Sequence, residues 1–496
     1  MFTRTQLLFV VTGLLIAGSG LHAQSFDLTM PTGAARSLTT ADGGSSLRTG
    51  VATVRPTDPE HLPAGFALIR YRSNGVLISE TSVPVAPITR FGRIYVELGG
   101  TVNTGVAIAN PTAYAVDINF AFMDPSGTVV KTGTTRLFPL AKVTRFVNEA
   151  PFSLKGPFIG TMTIEAFGPP VSMIAIRGFT NERSEFLIST IPVLQQGSGE
   201  DWFLPHYANG GGWTTQVVLV NPTDRPVRGV FQFMNNDTLT GDDQPIDIVV
   251  DGQSDSSFSY SIPPGGAQTF MTNGAPVNVQ SGSVRLIRTQ DSPLPIGHVI
   301  LSFKQSGITV TQDTVAGAPL RTFHRMYVEE DASQHIHTGL AILNPAEDGM
   351  AVYLELTDSN GRPTGLTTTL GLGPFRHTAK FLREIPGFES LPPSFKGVLR
   401  IVTLYRLGAS LVGLRTRYNE RGDLLVSSMN PVPEFFSPDG LFGLAASPHV
   451  VSGAGYTTEF VFFSVSATGA DEFPTGGGFS LNSDTTNAFE FTTPLD

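Results

Sequence analysis

A short phrase of alternating apolar residues that ends in Asn-Pro recurs along the chain and constrains its fold more than any other feature. It occupies residues 104–111 (TGVAIANP), 214–222 (TTQVVLVNP) and 338–345 (TGLAILNP), and a diverged copy occupies residues 457–464 (TTEFVFFS). An alternation with a period of two predicts a β-strand, and Asn-Pro predicts a turn directly after it. The chain is therefore predicted to repeat one β-rich module.

The segments between these copies have the pattern of short strands separated by turns. Asn74-Gly75, for example, separates two alternating apolar runs, and Asn-Gly is a strong hairpin signal because both residues tolerate a positive φ. About eight strands fall in roughly 100 residues, the density of a two-sheet antiparallel sandwich of the immunoglobulin type. The predicted fold class is all-β, a tandem array of four immunoglobulin-like antiparallel β-sandwich modules.

Two frames divide the chain into modules. Matching strands start roughly 115 residues apart, at Gly50, Gly160, Gly282 and Gly397. Counting from these glycines gives whole modules at 47–155, 156–278 and 279–392 and an abbreviated fourth module at 393–496. Counting from the Asn-Pro strand, the chain would begin and end on half-modules. We adopt the first frame.

The modules alternate in type. Residues 91–97 (FGRIYVE) resemble residues 323–329 (FHRMYVE), whereas the other two modules place a His seven positions before an aromatic residue, in the pairs His206/Trp213 and His449/Tyr456. The array is therefore predicted to be a two-module unit that was duplicated once. An Asn-Glu-Arg turn also recurs, at 181–183 and 419–421. A solvated turn is its simpler interpretation, and a contact between modules is the alternative.

The N-terminus has the pattern of an export signal. Arg4 precedes an apolar run, and Leu21-His22-Ala23 forms a cleavage site, which predicts a signal peptide at 1–23; an uncleaved anchor is the alternative. Residues 24–46 are rich in Ser, Thr, Gly and Ala and are predicted to be a flexible leader. No later stretch is apolar for long enough to cross a membrane. The protein is therefore predicted to be secreted, extracellular or on the cell surface, without a membrane span after signal cleavage.

Charge and cysteine content exclude several classes of function. The formal net charge is −10 and no basic cluster occurs, which argues against nucleic acid as a partner. The chain has no cysteine, so disulfides, thiol catalysis and Cys-based metal sites are excluded. Each module must therefore be stabilised by its own packing.

Aromatic residues in the second module are the candidate ligand site. Trp202, Tyr207 and Trp213 lie around the segment 209–212 (NGGG), and exposed aromatic rings could stack on a sugar. The alternative is that Trp213, at the head of an inward-facing strand, packs in the sandwich. The glycine run is not a phosphate-binding loop because no Gly-Lys-Ser/Thr follows it.

Metal and cofactor sites are not predicted. His335 and His337 share a strand face near His324, but exposed edge histidines are the favoured interpretation. The turns at 124–127 and 358–361 offer one carboxylate each and are explained as Asx turns. The acidic segment 235–257 is predicted to be a long loop, and the sequence leaves open whether it binds calcium.

The repeated phrases resemble those of tandem immunoglobulin-like β-sandwich repeat proteins exported by bacteria. These secreted or surface proteins have no assigned activity, so the resemblance implies a fold and no specific activity. Gly-x-Ser-x-Gly and His-Glu-x-x-His, two signatures of hydrolytic enzymes, are absent. We therefore expect a non-catalytic structural or interaction protein, a semi-rigid row of sandwiches that contacts extracellular protein or polysaccharide. A carbohydrate-binding protein that uses the aromatic residues of module 2 is the first alternative, and a secreted enzyme is the second.

Overall fold

A computed structural model gives the structure of the protein and describes residues 23–42, 44–56, 63–194, 202–235, 245–289, 291–434, 444–465, 475–484 and 488–492. These residues form β-strands, turns and a short 3-10 helix, Leu382–Glu384, and all strand pairings among them are antiparallel. None of their helices is long and apolar enough to span a membrane. The all-β class that the sequence predicted is confirmed.

The strands of the first part of the chain fall into two runs. The N-terminal run contains β1 (Ala23–Met30), β2 (Ala35–Thr39), β3 (Arg48–Pro56), β4 (Ala64–Ser73), β5 (Val76–Pro84) and β6 (Ala86–Pro87). The next run, set 1, contains β7 (Phe91–Gly99), β8 (Val102–Ala109), β9 (Val116–Met123), β10 (Val129–Leu137), β11 (Lys142–Phe146), β12 (Phe158–Phe167), β13 (Ser172–Thr180) and β14 (Phe186–Ile191).

The remaining strands form three further runs. Set 2 contains β15 (Leu204–Asn209), β16 (Trp213–Val220), β17 (Val227–Asn235), β18 (Ile248–Val250), β19 (Gln253–Asp255), β20 (Phe258–Ile262), β21 (Ala267–Met271), β22 (Gln280–Arg288), β23 (Ile296–Gln305) and β24 (Ile308–Ala316). Set 3 contains β25 (Phe323–Asp331), β26 (Ile336–Leu343), β27 (Met350–Asp358), β28 (Pro363–Leu372), β29 (His377–Phe381), β30 (Ser394–Thr403), β31 (Ser410–Tyr418), β32 (Leu424–Met429) and β33 (Val432–Pro433). The C-terminal run contains β34 (Ala445–Ser452), β35 (Tyr456–Phe463) and β36 (Thr475–Ser483).

One pairing order recurs among these strands. Set 1 forms the four-strand paths β10-β9-β12-β7 and β11-β8-β13-β14, and set 3 forms β28-β27-β30-β25 and β29-β26-β31-β32. Set 2 forms β20-β17-β22-β15 and β21-β16-β23-β24. The two paths of a set pack face to face because apolar side chains alternate with polar ones; β9, for example, buries Ile118 and Phe120 and exposes Asp117 and Asn119.

The N-terminal and C-terminal runs combine into a fourth set with the same order, β1-β36-β3-β34 and β2-β35-β4-β5. Their shared core includes Phe460, Phe462 and Phe479 from the C-terminal run with Leu28 and Ile69 from the N-terminal run. The strands of set 4 therefore come from opposite ends of the chain and stabilise one another.

This pairing differs from the frame adopted on sequence grounds. The segment 24–46, predicted to be a flexible leader, contains β1 and β2. The boundaries 47–155 and 393–496 separate strands that pair with each other, such as β3 and β34. The alternative frame, counted from the Asn-Pro strand, describes the observed pairing, because each set begins one strand before that phrase.

The last strands of the four sets meet at the centre of the molecule. β5 contacts β14, β14 contacts β24, β24 contacts β32 and β32 contacts β5. Matching residues face each other, as where the Ser79 hydroxyl accepts a hydrogen bond from the Ile188 amide at 3.0 Å. The sets therefore form a closed ring around these central strands, and the expected row is not observed.

The recurring Asn-Pro phrase has a structural role. The buried Asn110 amide nitrogen donates to the carbonyl oxygens of Tyr114 at 2.6 Å and Phe138 at 3.0 Å, and its side-chain oxygen accepts from the Thr112 amide at 3.1 Å. Asn344 makes the matching bonds in set 3, and Asn221 in set 2 donates to the Arg225 and Ile262 carbonyls and accepts from the Thr223 amide. Asn is required because its amide can donate and accept at one point, which closes the end of the sandwich.

Candidate functional site

The central strands have two distinct ends. At one end, β5, β14, β24 and β32 begin at hairpin turns, and at the other end the chain leaves them through the linkers to the next set. We call these the hairpin end and the linker end. The hairpin end is closed by side-chain contacts, and the linker end contains a cavity.

Reciprocal ion pairs close the hairpin end. Arg183 pairs with Asp423 at 2.8 Å, and Arg421 pairs with Glu185 at 2.6 Å, so that the two Asn-Glu-Arg turns hold each other across the ring. Reciprocal contacts of this kind are the signature of a two-fold relation. The two turns therefore contact each other, as the alternative interpretation predicted, although their arginine side chains remain about one-third exposed.

The same turns also hold the neighbouring sets. The carboxylate of Glu182 accepts from the Thr309 amide at 2.7 Å, and the carboxylate of Glu420 accepts from the Leu77 amide at 2.8 Å. These bonds to backbone amides, together with Lys304, lower the pKa of Glu182 to about 2 even though burial opposes the shift. Each turn therefore contacts two other sets.

The linker end contains a cavity with a volume of about 560 Å³. Its lining comes from all four sets: Ser82 and Pro84 from set 4, Met173, Ile174 and 190–193 from set 1, Thr314 and 316–317 from set 2, and Leu411, Ser428, 430–431 and Pro433 from set 3, with Trp202, Ala318, Pro319, Arg321 and His324 from linkers and strand starts. We call it the axial cavity.

Hydroxyl groups form a ring at the floor of the axial cavity. The Thr190 hydroxyl donates to the Ser82 carbonyl at 2.8 Å, the Ser82 hydroxyl to the Ser428 carbonyl, and the Ser428 hydroxyl to the Thr314 carbonyl at 2.8 Å. The fourth member, the buried Thr314 hydroxyl, has no hydrogen-bond partner within the described part of the chain. The ring is therefore open at one position.

Two ionisable side chains with basic character line the cavity. His324 is 4% exposed, and its Nδ1 has no hydrogen-bond partner among the described residues. Burial and the nearby Arg321 charge lower the pKa of His324 to about 3, so this imidazole is neutral at pH 7. Arg321 also lines the cavity, and its guanidinium donates to the Leu320 carbonyl at 2.8 Å.

A buried carboxyl group lies directly behind the hydroxyl ring. Asp313 is 2% exposed and accepts from the Ser428 amide at 2.6 Å. Burial raises the pKa of Asp313 to about 7, although hydrogen bonds from Ser428 and Thr314 oppose the shift. The matching position in set 4 is the neutral Thr81, whose hydroxyl contacts that of Thr190 at 3.3 Å.

The three aromatic residues predicted to bind a ligand do not form one exposed surface. Tyr207 is fully buried and packs edge-on against Phe233 at 4.8 Å, because both faces of β15 are covered. Trp213 is half-buried and stacks on Phe303 at 4.7 Å, as its alternative interpretation predicted. Trp202 is half-buried and lines the axial cavity. Tyr207 therefore cannot stack on a sugar in this fold.

The candidate metal ligands remain apart. His337 Nδ1 lies 3.0 Å from the Glu330 carboxylate, whereas His324 is buried beside the axial cavity. Within the described residues, no group of three His, Asp or Glu side chains could hold a metal ion. In the acidic segment 235–257, residues 236–244 lie outside the described residues, and β18 and β19 follow them. The Asp124 carboxylate accepts from the Ser126 and Thr128 amides, as in an Asx turn.

The sequence did not indicate the buried polar contacts that join neighbouring sets. The Arg415 guanidinium, 1% exposed, contacts Glu80 and lies 3.1 Å from Glu329. Burial alone would raise the pKa of Glu80, but Arg415 and Arg70 hold it at about 2. At the two-fold related position, Arg177 contacts the neutral Gln312 and the partly exposed Glu97. These residues lie on separate strands, and the recurrence of Arg177 and Arg415 after similar strands was the available signal.

Comparisons with known proteins do not assign the chain to a family. No protein-family model matches the chain, and no curated protein matches it. Solved structures that match include one of the Gx strain of infectious bursal disease virus, 8% identical over 83% of this chain and 85% of that chain, with a TM-score of 0.12. A T13 particle of this virus is 11% identical over 83% and 84% (TM-score 0.12), and its VP2 subviral particle is 10% identical over 80% and 81% (TM-score 0.11). TM-scores this low bear on neither fold nor function.

Proposed function

We propose that the chain is a non-catalytic extracellular structural or interaction protein, made of four immunoglobulin-like β-sandwich modules that arose by duplication of a two-module unit. The recurring pairing order supports the module count. The reciprocal contacts of Arg183 with Asp423 and Arg421 with Glu185 support the duplication. The modules close into a ring, so the proposal replaces the row expected from the sequence.

The observation that carries this proposal is the pairing of the N-terminal run with the C-terminal run in set 4. This pairing forms set 4 and so closes the ring. The central strands join the sets at the centre, and turns and loops lie at the periphery. A rigid scaffold that presents loops is a common basis for recognition of protein or polysaccharide partners. Presentation of surfaces without conversion of the partner is therefore the function that the architecture supports best.

Binding to immobilised extracellular proteins and polysaccharides tests this function. We expect saturable binding by the protein that starts at residue 24, with the partner recovered chemically unchanged. A variant that lacks residues 24–46 loses β1 and β2 and should lose both the ring and the binding. Conversion of the partner into product, or no binding to any of these surfaces, would contradict the proposal.

Export is a separate part of the proposal. Residues 1–22 lie outside the described residues, and the predicted signal peptide 1–23 supports secretion. N-terminal sequencing of the protein recovered from the medium should give Gln24 as the first residue. Retention of Met1 in a cytoplasmic product would contradict secretion.

A carbohydrate partner is the second candidate, and it now depends on Trp202 and Trp213 without Tyr207. The half-buried Trp213 leaves part of its ring available beside the glycine run 210–212. A glycan array with wild type and Trp213→Ala separates the candidates. Binding that Trp213→Ala removes favours carbohydrate recognition through this residue, and binding by neither protein leaves the protein–protein interpretation.

A further inference from the structure

We propose that the axial cavity binds one small uncharged molecule that has an apolar body and a single hydrogen-bond acceptor. The inference goes beyond the proposed function, which concerns the periphery of the ring, because this cavity lies on the ring axis at the linker end. The size of the cavity, the rigidity of its walls and the hydroxyl groups of its floor support this ligand.

The size of the axial cavity fits a small molecule. Ligand sites in proteins are concave and enclose roughly 300–1,000 Å³. At about 560 Å³, the axial cavity lies within this range. Its walls come from all four sets, so the cavity forms only when the ring is closed, and it is not a gap inside one sandwich.

Prolines make the walls rigid. Each central strand has a proline at or just beyond its end, and all four of these prolines line the cavity: Pro84, Pro192, Pro319 and Pro431. A proline ring fixes the backbone angle φ, so these walls lose little conformational freedom when a ligand packs on them. The cavity is therefore formed before a ligand binds.

The walls between the prolines are mainly apolar. An indole ring comes from Trp202, and aliphatic side chains come from sets 1 and 3, namely Met173, Ile174, Ile191, Val193 and Leu411. Moving an ionised group from water to such surroundings is costly, whereas an apolar body gains free energy there. The recognition uses no charge on Arg321, whose guanidinium donates to the Leu320 carbonyl. An uncharged ligand body therefore fits these walls.

The floor has few hydrogen-bond donors left for an anion. A hydroxyl group has one hydrogen to donate. Those of Thr190, Ser82 and Ser428 are donated to carbonyl oxygens of neighbouring central strands. These three hydroxyl groups therefore cannot also stabilise a negative charge in the cavity.

One hydroxyl group of the floor has no such bond. Thr314 is 4% exposed, and its hydroxyl has no hydrogen-bond partner within the described part of the chain. Buried polar groups are normally hydrogen-bonded, so an exception calls for an additional partner. A carbonyl oxygen on a ligand accepts one hydrogen bond without bringing a charge. The polar end of the ligand is therefore expected at Thr314, with its apolar body between the prolines.

A neutral fluorescent ketone tests the proposal. 6-Propionyl-2-dimethylaminonaphthalene has an apolar body and one carbonyl group, and 1-anilinonaphthalene-8-sulfonate is a naphthalene probe with a negative charge. We expect the ketone to bind the native protein at one site per chain, about tenfold more tightly than the sulfonate. Thr314→Val removes the donor and keeps the branched shape, and it should weaken ketone binding about fivefold. Ala318→Phe fills the cavity and should abolish ketone binding.

Energy transfer from tryptophan locates the bound ketone. The chain has two tryptophans, and Trp213→Phe leaves Trp202, which lines the cavity, as the donor. We expect efficient transfer from Trp202 to the ketone in this variant. Adding Ala318→Phe should remove the transfer.

Control variants and contrary outcomes keep the test decisive. Thr134→Val changes an exposed threonine on β10 and should leave ketone binding unchanged. Denaturation midpoints equal to wild type verify that each variant is folded. The proposal would be overturned by sulfonate binding as tight as ketone binding, by ketone binding that survives Ala318→Phe, or by equal ketone binding to Thr314→Val and wild type. Binding of neither probe would also overturn it, while leaving the proposed contacts at the periphery untouched.

Discussion

At the scale of single residues, Asp313 makes the central ring sensitive to pH. The ordinary pKa of an aspartate is 3.8, and in the folded protein burial raises the pKa of Asp313 to about 7. Between about pH 4 and pH 7 the folded state holds a proton that the unfolded chain has lost, so the contribution of Asp313 to stability falls as pH rises through this window. The loss is on the order of a few kcal/mol above pH 7.

The variant Asp313→Asn tests this dependence. Buried histidines such as His206, whose pKa burial lowers to about 4, act in the opposite sense below their ordinary value of 6.5, so the informative quantity is the difference between variant and wild type. We expect Asp313→Asn to gain stability relative to wild type as pH rises from 5 to 8, measured as the urea midpoint at each pH. The exposed Asp255→Asn is the control. A constant difference across this range would contradict the role of Asp313.

The buried arginines of the two related interfaces should differ in their contribution to stability. Arg415→Met leaves Glu80 and Glu329 with one fewer cation in a buried position, and it should lower the free energy of unfolding by about 3 kcal/mol. Arg177→Met removes a hydrogen-bond partner from the neutral Gln312 and from the partly exposed Glu97. It should lower the free energy of unfolding by about 1–2 kcal/mol. Guanidinium unfolding of both variants is the measurement, and equal losses would contradict the argument.

At the scale of elements, the two Asn-Glu-Arg turns are predicted to be coupled across the ring. Arg183 is one-third exposed and its partner Asp423 is buried, so solvent screens the pair only in part. A double-mutant cycle with Arg183→Ala and Asp423→Ala should give a coupling energy of about 0.5–1 kcal/mol. The exposed pair Arg136–Asp117 serves as control and should give a value near zero. Equal coupling in the two cycles would mean that the turns do not hold the ring.

Individual strands were predictable because their signals are local. The hairpin around Asn74-Gly75 was predicted from an alternating pattern and a turn pair, and it is confirmed as β4 and β5. β1 was missed because its residues, AQSFDLTM, contain few large apolar side chains. β1 forms a strand because it pairs with β36, where Phe26 lies opposite Phe479. No local pattern carries information about a partner that lies more than 400 residues away.

The candidate site was less accessible from the sequence than the strands. Trp202 was singled out as an exposed aromatic residue, and the structure places it in the lining of the axial cavity. The other lining residues are ends of strands and linkers from all four sets, such as Ser82, Thr314 and Ser428, which look like ordinary strand residues in the sequence. These residues come together only when the ring closes. The frame adopted from the sequence predicted a row of modules and no ring.

At the scale of the whole molecule, ring closure predicts a compact particle in solution. A compact chain of this length has a radius of gyration of about 23 Å, and a row of separate sandwiches would be far more extended. Small-angle scattering of the protein from residue 24 should therefore give a value near the compact one. The variant that lacks residues 24–46 is expected to expand, and an extended wild-type profile would contradict the ring.

The dependence of set 4 on both ends of the chain also constrains how the protein is made. β1 to β5 leave the ribosome first, yet β34 to β36, which share their two sheets, begin only about 360 residues after β5 ends. Contacts this distant in sequence slow folding, because a long loop must close before they form. The edges of the N-terminal strands therefore stay unpaired until the C-terminal strands have been synthesised.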